Sequence, residues 1–481
     1  MQALNPLLPP YEYIPDAEPH VFDDRLYLYG SHDKENGDTF CMLDYVIWSA
    51  PLNDLGNWTN KGVSYSPKKD PYYSETMRYM YAPDCVKGND GRYYLYYCLS
   101  GHKGNGGYSN PVSVAVCDAP DGRFEYYGYV RNKDKSPYMK HLLFDPAVIN
   151  DDGTIRLYCG SDLFWLNHIH PKFVRKRVLA KLTGRNVKNI TDDFMGSFHI
   201  ELEDDMLTVK KEAARIDDSI KGAEYKNHRF FEGSSMRKIN DTYYFIYSSI
   251  NNHELCYATS KHPDKDFTYG GTIVSNGDIG YKGRKPEDRT NMTGTTHGSI
   301  ECVNGEWYVF YHRLTHRSDY SRQVCAEKIE VNKDGSIKQV EMSSCGLNNG
   351  PLKTEGTYPA VICCSLSNGK MPHGTNSKKG YEIPYVGSGN DERFIANIMN
   401  DTRIVYKYFD FDKDVKLKIK TRGADGSFDV LLDDNKVSSI PIENTKDWKE
   451  YHTEITEKGV HALILLYKGQ ERAQLLEISF E

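Results

Sequence analysis

The sequence predicts an all-β chain, a five-bladed β-propeller followed by a β-sandwich of jelly-roll type. Three observations predict it. A short apolar segment carrying one polar residue is followed, seven to nine residues later, by a turn and an aromatic strand, and this unit occurs five times. The turn residues fall 67, 62, 88 and 64 residues apart. A fixed unit at long period marks a repeat architecture, and each interval accommodates about four short strands, one propeller blade. Past residue 345 the aromatic marker stops while short alternating strands continue.

The first unit is Asp16-Ala17-Glu18-Pro19-His20, with its turn at Asp24 and the strand Leu26-Tyr27-Leu28-Tyr29. The second is Ala82-Pro83-Asp84-Cys85-Val86, then Tyr93-Tyr94-Leu95-Tyr96-Tyr97 after Gly91. The third is Asp145-Pro146-Ala147-Val148, then Ile155-Arg156-Leu157-Tyr158 after Gly153. The fourth, Phe230-Phe231-Glu232-Gly233, leads through Asp241 into Tyr243-Tyr244-Phe245-Ile246-Tyr247. The fifth, Thr296-His297-Gly298, leads through Gly305 into Trp307-Tyr308-Val309-Phe310. A further run follows each: Tyr45–Ser49, Val112–Val116, Leu179–Leu182, Glu254–Ala258 and Gln323–Glu327, each expected as the next strand outward. Chance alternation in a strand-rich chain explains the strands but not the repeated polar residue.

Gly346-Leu347-Asn348-Asn349-Gly350-Pro351 is a cluster of turn formers. It divides a propeller domain, 1–345, from a sandwich domain, 346–481. The second is built on runs such as Val415–Lys420, Phe428–Leu432, Val460–Tyr467 and Leu476–Phe480.

Composition narrows the function classes. With 60 Lys and Arg against 67 Asp and Glu, the net charge is −7 and no basic stripe is present. That argues against nucleic acid and anionic membranes as partners. No apolar run approaches the ~18 residues of a membrane span. The 11 cysteines are an odd number, mostly isolated within strands, without zinc spacing. They read as small buried hydrophobes of a reducing compartment. The start, Met1-Gln2-Ala3-Leu4-Asn5-Pro6, has no basic segment. A cytoplasmic location is therefore expected. His168 and His170 match metal ligands by type, but an exposed loop pair is usually ordinary surface.

Five blades around an axis bring Asp16, Asp84, Asp145, Glu232 and His297 to one central site. Paired carboxyl groups of opposite protonation state suit glycosidic bond cleavage. Glu232, after Phe230-Phe231 and with the longer arm, suits the acid; Asp16 suits the base; Asp145 suits a group that orients Glu232 and raises its pKa. Each alone also reads as a turn cap or a solvated charge, and His297 as a core histidine.

Residues 1–345 resemble glycoside hydrolase family 43. The resemblance rests on Pro15-Asp16-Ala17-Glu18-Pro19, Tyr81-Ala82-Pro83-Asp84, Phe144-Asp145-Pro146-Ala147, Phe231-Glu232-Gly233 and Thr296-His297-Gly298, in that order. It implies a five-bladed propeller and an inverting mechanism with base Asp16, modulator Asp145 and acid Glu232. It further implies His297 beside a calcium or other ion in the central channel, Arg322 as a sugar-binding arginine, and Asp84 near the substrate. Fructan-cleaving propellers carry Arg where this chain has Phe144. The C-terminal part resembles a family 6 carbohydrate-binding module through Val405–Phe411, Trp448 and Gly459–Leu463, but its last strand, Ala473–Glu481, has no Asn, Trp or Tyr. Two readings of that domain stay open: sugar binding, or packing that shapes the active-site rim. The expected activity is exo-acting release of α-L-arabinofuranose, with β-D-xylose as the close second, from arabinoxylan or arabinan oligosaccharides. Endo-arabinanase and a non-catalytic sugar-binding propeller are the alternatives.

Overall fold

The computed structural model describes residues 2–102, 110–374 and 380–481. Four antiparallel sheets of four strands and one of three follow one another along the chain. Their innermost strands are Glu18–Phe22, Tyr79–Lys87, Ala147–Asp151, Phe230–Ile239 and Ser299–Val303. Each packs against the next, and the first against the fifth, so the ring closes. These are five propeller blades.

Period-two alternation explains why the second strand of a blade is apolar throughout. In Tyr93–Ser100 every residue is buried. Tyr93, Leu95, Tyr97 and Leu99 join a core shared with blade one. Tyr94, Tyr96 and Cys98 face the other way, into a core shared with blade three. In blade four, Tyr243, Phe245 and Tyr247 face blade three, while Tyr244 and Ile246 face blade five. A strand buried on both faces loses the polar alternation of a half-exposed one.

The third interval is longest because it carries an insertion. Leu179–Leu182, expected as a strand, lies in the α-helix Lys172–Thr183, closed by Gly184 in the left-handed region at φ 63°. The run Lys-Arg-Val-Leu-Ala-Lys-Leu is rich in straight-chain helix formers and ends at a glycine cap. The third strand of this blade is instead Gly196–Leu202.

Blade five has three strands, and the N-terminal segment lies along its outer one. Leu7 N–H donates to Val324 O at 3.0 Å. Buried Asn5 donates from its side chain to Ala326 O at 2.8 Å and accepts from Ala326 N–H at 2.9 Å. Chain start and chain end of the propeller are thereby joined.

The C-terminal part is two sheets of six strands face to face, over one core that includes Ile404, Phe409, Leu417, Phe428 and Ile478. The core between blades four and five continues into it through Val405, Leu431 and Ile464.

Asn5→Ala removes both of those bonds to Ala326 and leaves buried backbone groups unpaired. A loss of about 1–3 kcal/mol is expected, read as a lower thermal unfolding midpoint. An unchanged midpoint shows that the N-terminal segment does not close the ring.

Candidate active site

Just before two inner strands and within two others the backbone passes through the left-handed region: Asp16 at φ 57° and Asp145 at 47°, then Ala82 at 34° and Gly233 at 68°. This conformation strains most side chains, and aspartate and glycine adopt it most readily. It aims either the left-handed residue or its predecessor at the axis. Asp16 and Asp145 take the first position; Tyr81, Phe144 and Glu232 take the second, and all five line one pocket. At Gly233 a Cβ would lie 3.1 Å from the His297 ring, so this approach also needs glycine.

Arg322, at the start of the outer strand Arg322–Ile329, sits in the wall of this pocket. Its Nη1 donates to both Asp16 oxygens at 2.9 and 3.2 Å. Its Nε and Nη2 form a fork with Asp33 at 2.8 and 3.0 Å. The Phe40 ring lies 4.8 Å from the guanidinium carbon. Burial pushes the Asp16 carboxyl up, but the Arg322 guanidinium outweighs it and holds the group well below the usual carboxylate range. Asp16 is therefore ionised at neutral pH.

Glu232 behaves in the opposite way. Burial and the Asp16 charge push it up to about 8, against the pull of Arg322. Asp145 is also driven upward, by burial and by the charges of Glu232 and Asp16, while the Gly233 N–H at 3.2 Å opposes the rise. That bond ties Asp145 to the peptide next to Glu232. The pocket thus holds one firmly charged carboxylate beside a pair that retains a proton.

His297 and His312 close the blade-five side. His312 Nε2 lies 3.1 Å from Thr295 O, and its Nδ1 accepts from Asp16 N–H at 3.2 Å. This pattern fits a neutral ring. His297 Nδ1 lies 3.8 Å from Asp16 and 3.9 Å from Asp145, and burial lowers its pKa to about 4.

Asp84 does not join the pocket. It is fully buried, accepting from Cys85 N–H at 2.7 Å and Val148 N–H at 2.6 Å, with His20 Nε2 at 2.6 Å. In blade two the left-handed residue is Ala82, so Asp84 lies two positions further down the strand, level with Glu18. Its spacing of seven to the turn, the shortest of the five, was the signal.

Calcium takes about 6–8 oxygen ligands. Beside His297 stand one imidazole and the carboxyl groups of Asp16 and Asp145, and Asp16 already carries a guanidinium. Glu18, His20 and Asp84 bring three donor atoms within 4.8 Å of one another, yet Glu18 is paired with Arg237 at 2.9 Å. Neither donor set suits calcium. His168 and His170 are exposed and join no such group among the described residues.

Sequence reasoning missed Asp33, Phe40 and His312. Asp33 and Phe40 lie on a loop outside the repeat. His312 lies at the inner end of the blade-five aromatic strand, where it continues the alternation without standing out.

The chain matches the family model Glycosyl hydrolases family 43 over residues 5–337. It is 43% identical over 495 residues to a xylosidase/arabinosidase of Thermoclostridium stercorarium, covering 98% of each chain. It is 31% identical to xylosidase/arabinosidase 43A of Humicola insolens, covering 68% of this chain and 96% of that one. A solved β-xylosidase/α-arabinofuranosidase from a compost microbial metagenome superposes with a TM-score of 0.52 at 28% identity, over 70% of this chain and 97% of the other. The closed ring of blades, the carboxyl groups of opposed protonation at its axis and a relative matching end to end lead to one conclusion: the chain belongs to glycosyl hydrolases family 43 and is a glycoside hydrolase.

Proposed function

We propose that the enzyme is an inverting, exo-acting hydrolase that removes α-L-arabinofuranose from arabinoxylan-derived oligosaccharides and also releases β-D-xylose. One observation carries the reading: ionised Asp16 and protonated Glu232 face the same pocket. Asp16 takes a proton from water, the water oxygen attacks the anomeric carbon, and Glu232 gives its proton to the departing oxygen. Asp145 orients Glu232 through the Gly233 peptide and, as a neighbouring carboxyl, favours its protonated form. Arg322 holds Asp16 in place and offers its guanidinium to sugar hydroxyls. The small size of the pocket supports action at a chain end. The relatives named for both xylosidase and arabinosidase activity support the pairing of sugars. β-D-Xylosidase as the main activity is the second reading, favoured by the relative of Xylanibacter ruminicola named β-xylosidase.

Glu232→Gln is expected to lower kcat on an arabinoxylan oligosaccharide by about 10²–10⁴, the usual contribution of a general acid. The loss should be smaller on the p-nitrophenyl glycoside, whose leaving group needs little protonation. Equal, small losses on both would remove Glu232 from the acid role.

The pH profile of kcat/KM should fall as pH rises through about 8, where Glu232 loses its proton. Its acid limb should lie below the ordinary aspartate value of about 3.9, because Arg322 holds Asp16 ionised. A basic limb near the ordinary glutamate value contradicts the assignment.

Proton NMR during turnover should show the first-formed sugar with the anomeric configuration opposite to that of the substrate. Retention at the earliest time points overturns the direct attack of water.

A further inference from the structure

The sandwich domain reaches the propeller at a defined place. Its hairpin, Tyr385–Gly389 paired with Glu392–Ile398, touches two propeller loops. Arg393 Nη2 donates to Glu35 Oε2 at 2.7 Å, with the Arg393 side chain 15% and the Glu35 side chain 21% exposed. The other oxygen of Glu35 accepts from Tyr13 OH at 2.9 Å and lies 3.4 Å from buried His316. Beside it, Val386 N–H donates to Thr315 O at 3.0 Å, and the Arg317 guanidinium covers the Tyr385 ring at 5.2 Å.

Both loops lead to Arg322. The first runs from Asp33 through Glu35 to Phe40, so it carries the carboxylate and the ring that frame the guanidinium. Asp33 N–H is held by Tyr13 O at 3.0 Å, the residue whose hydroxyl also binds Glu35. The second loop runs from Thr315 to Ser321 and delivers Arg322 itself. The two are stitched by Asn36 N–H donating to Ser321 Oγ at 2.9 Å.

We propose that Arg393 of the sandwich domain is a positioning residue of the active site: its ion pair with Glu35 clasps the Asp33–Phe40 loop and thereby fixes Arg322 against Asp16. The inference rests on the reading of Arg322 and Asp16 as substrate-handling groups. It assigns the sandwich a part in substrate affinity that needs no sugar bound to the sandwich. The chemistry is spatially selective. Arg393 does not line the pocket, so its loss acts through Arg322 and Asp16 and not by contact with the substrate.

Arg393→Ala, Arg393→Lys and the charge exchange Arg393→Glu with Glu35→Arg test this in the full chain. For Arg393→Ala, KM on an arabinoxylan oligosaccharide should rise about tenfold, and the acid limb of the pH profile should move upward as Arg322 loosens its hold on Asp16. Arg393→Lys and the charge exchange should each recover most of that loss. Hydrogen–deuterium exchange should show faster exchange in peptides covering residues 33–41 and 315–322 of Arg393→Ala, with the sandwich core unaffected. Unchanged KM, or unchanged exchange in those peptides, overturns the proposal. So does a general rise in exchange across both domains, which marks a folding defect and not a clasp. If the wild type cleaves no tested glycoside while the loop exchange responds as described, the clasp stands and the proposed activity falls.

Discussion

Arg322 is a guanidinium taken out of water and held by two carboxylates, and the electrostatics of the pocket follow from that arrangement. A buried cation needs paired, well-oriented anions. Asp33 supplies a fork and Asp16 a second contact, leaving an excess of one negative charge among the three groups. Every further carboxyl group at this depth meets both desolvation and that excess. Glu232 and Asp145 are therefore both driven toward their protonated forms. One side chain thus separates the protonation states of groups that share a pocket, the condition that acid–base cleavage of a glycoside requires.

The same rule recurs one tier down the axis. Glu18 lies two residues beyond Asp16 and is paired with Arg237 at 2.9 Å, with Ser235 Oγ at 3.1 Å. Burial pushes Glu18 up to about 7 even with that partner, and the Asp84 charge adds to the rise. Two guanidiniums from different blades stand at successive levels of the channel.

The scaffold that holds these groups is uniform for a simple reason. Each blade shares an apolar core with both neighbours, so the aromatic strands are buried on both faces, and a slip by one residue would send every side chain into the other core. The loops at the rim are under no such constraint, and there the sandwich domain enters. Arg393, Val386 and Tyr385 each meet a loop that frames Arg322. The C-terminal domain therefore contributes to the wall of a pocket it does not line.

Much of this was legible in the chain. The repeated turn and aromatic strand specify five blades, because alternation at period two is a local property of the backbone. The positions of Asp16, Asp145, Glu232 and His297 relative to their turns carry them to the axis by the same local geometry. Asp84 shows the limit: a register difference of two residues, set by which residue adopts the left-handed conformation, moves its carboxyl from the pocket to the tier below. The run Leu179–Leu182 shows another, since a short apolar stretch alternates as well in a helix as in a strand. Asp33, Phe40, His312 and Arg393 were beyond reach. Their roles come from contacts between segments as many as 358 residues apart. Local pattern determined the blades and the acids at their heads; only the folded chain decided which charges meet, because the protonation of a buried group depends on distance in space and not along the sequence.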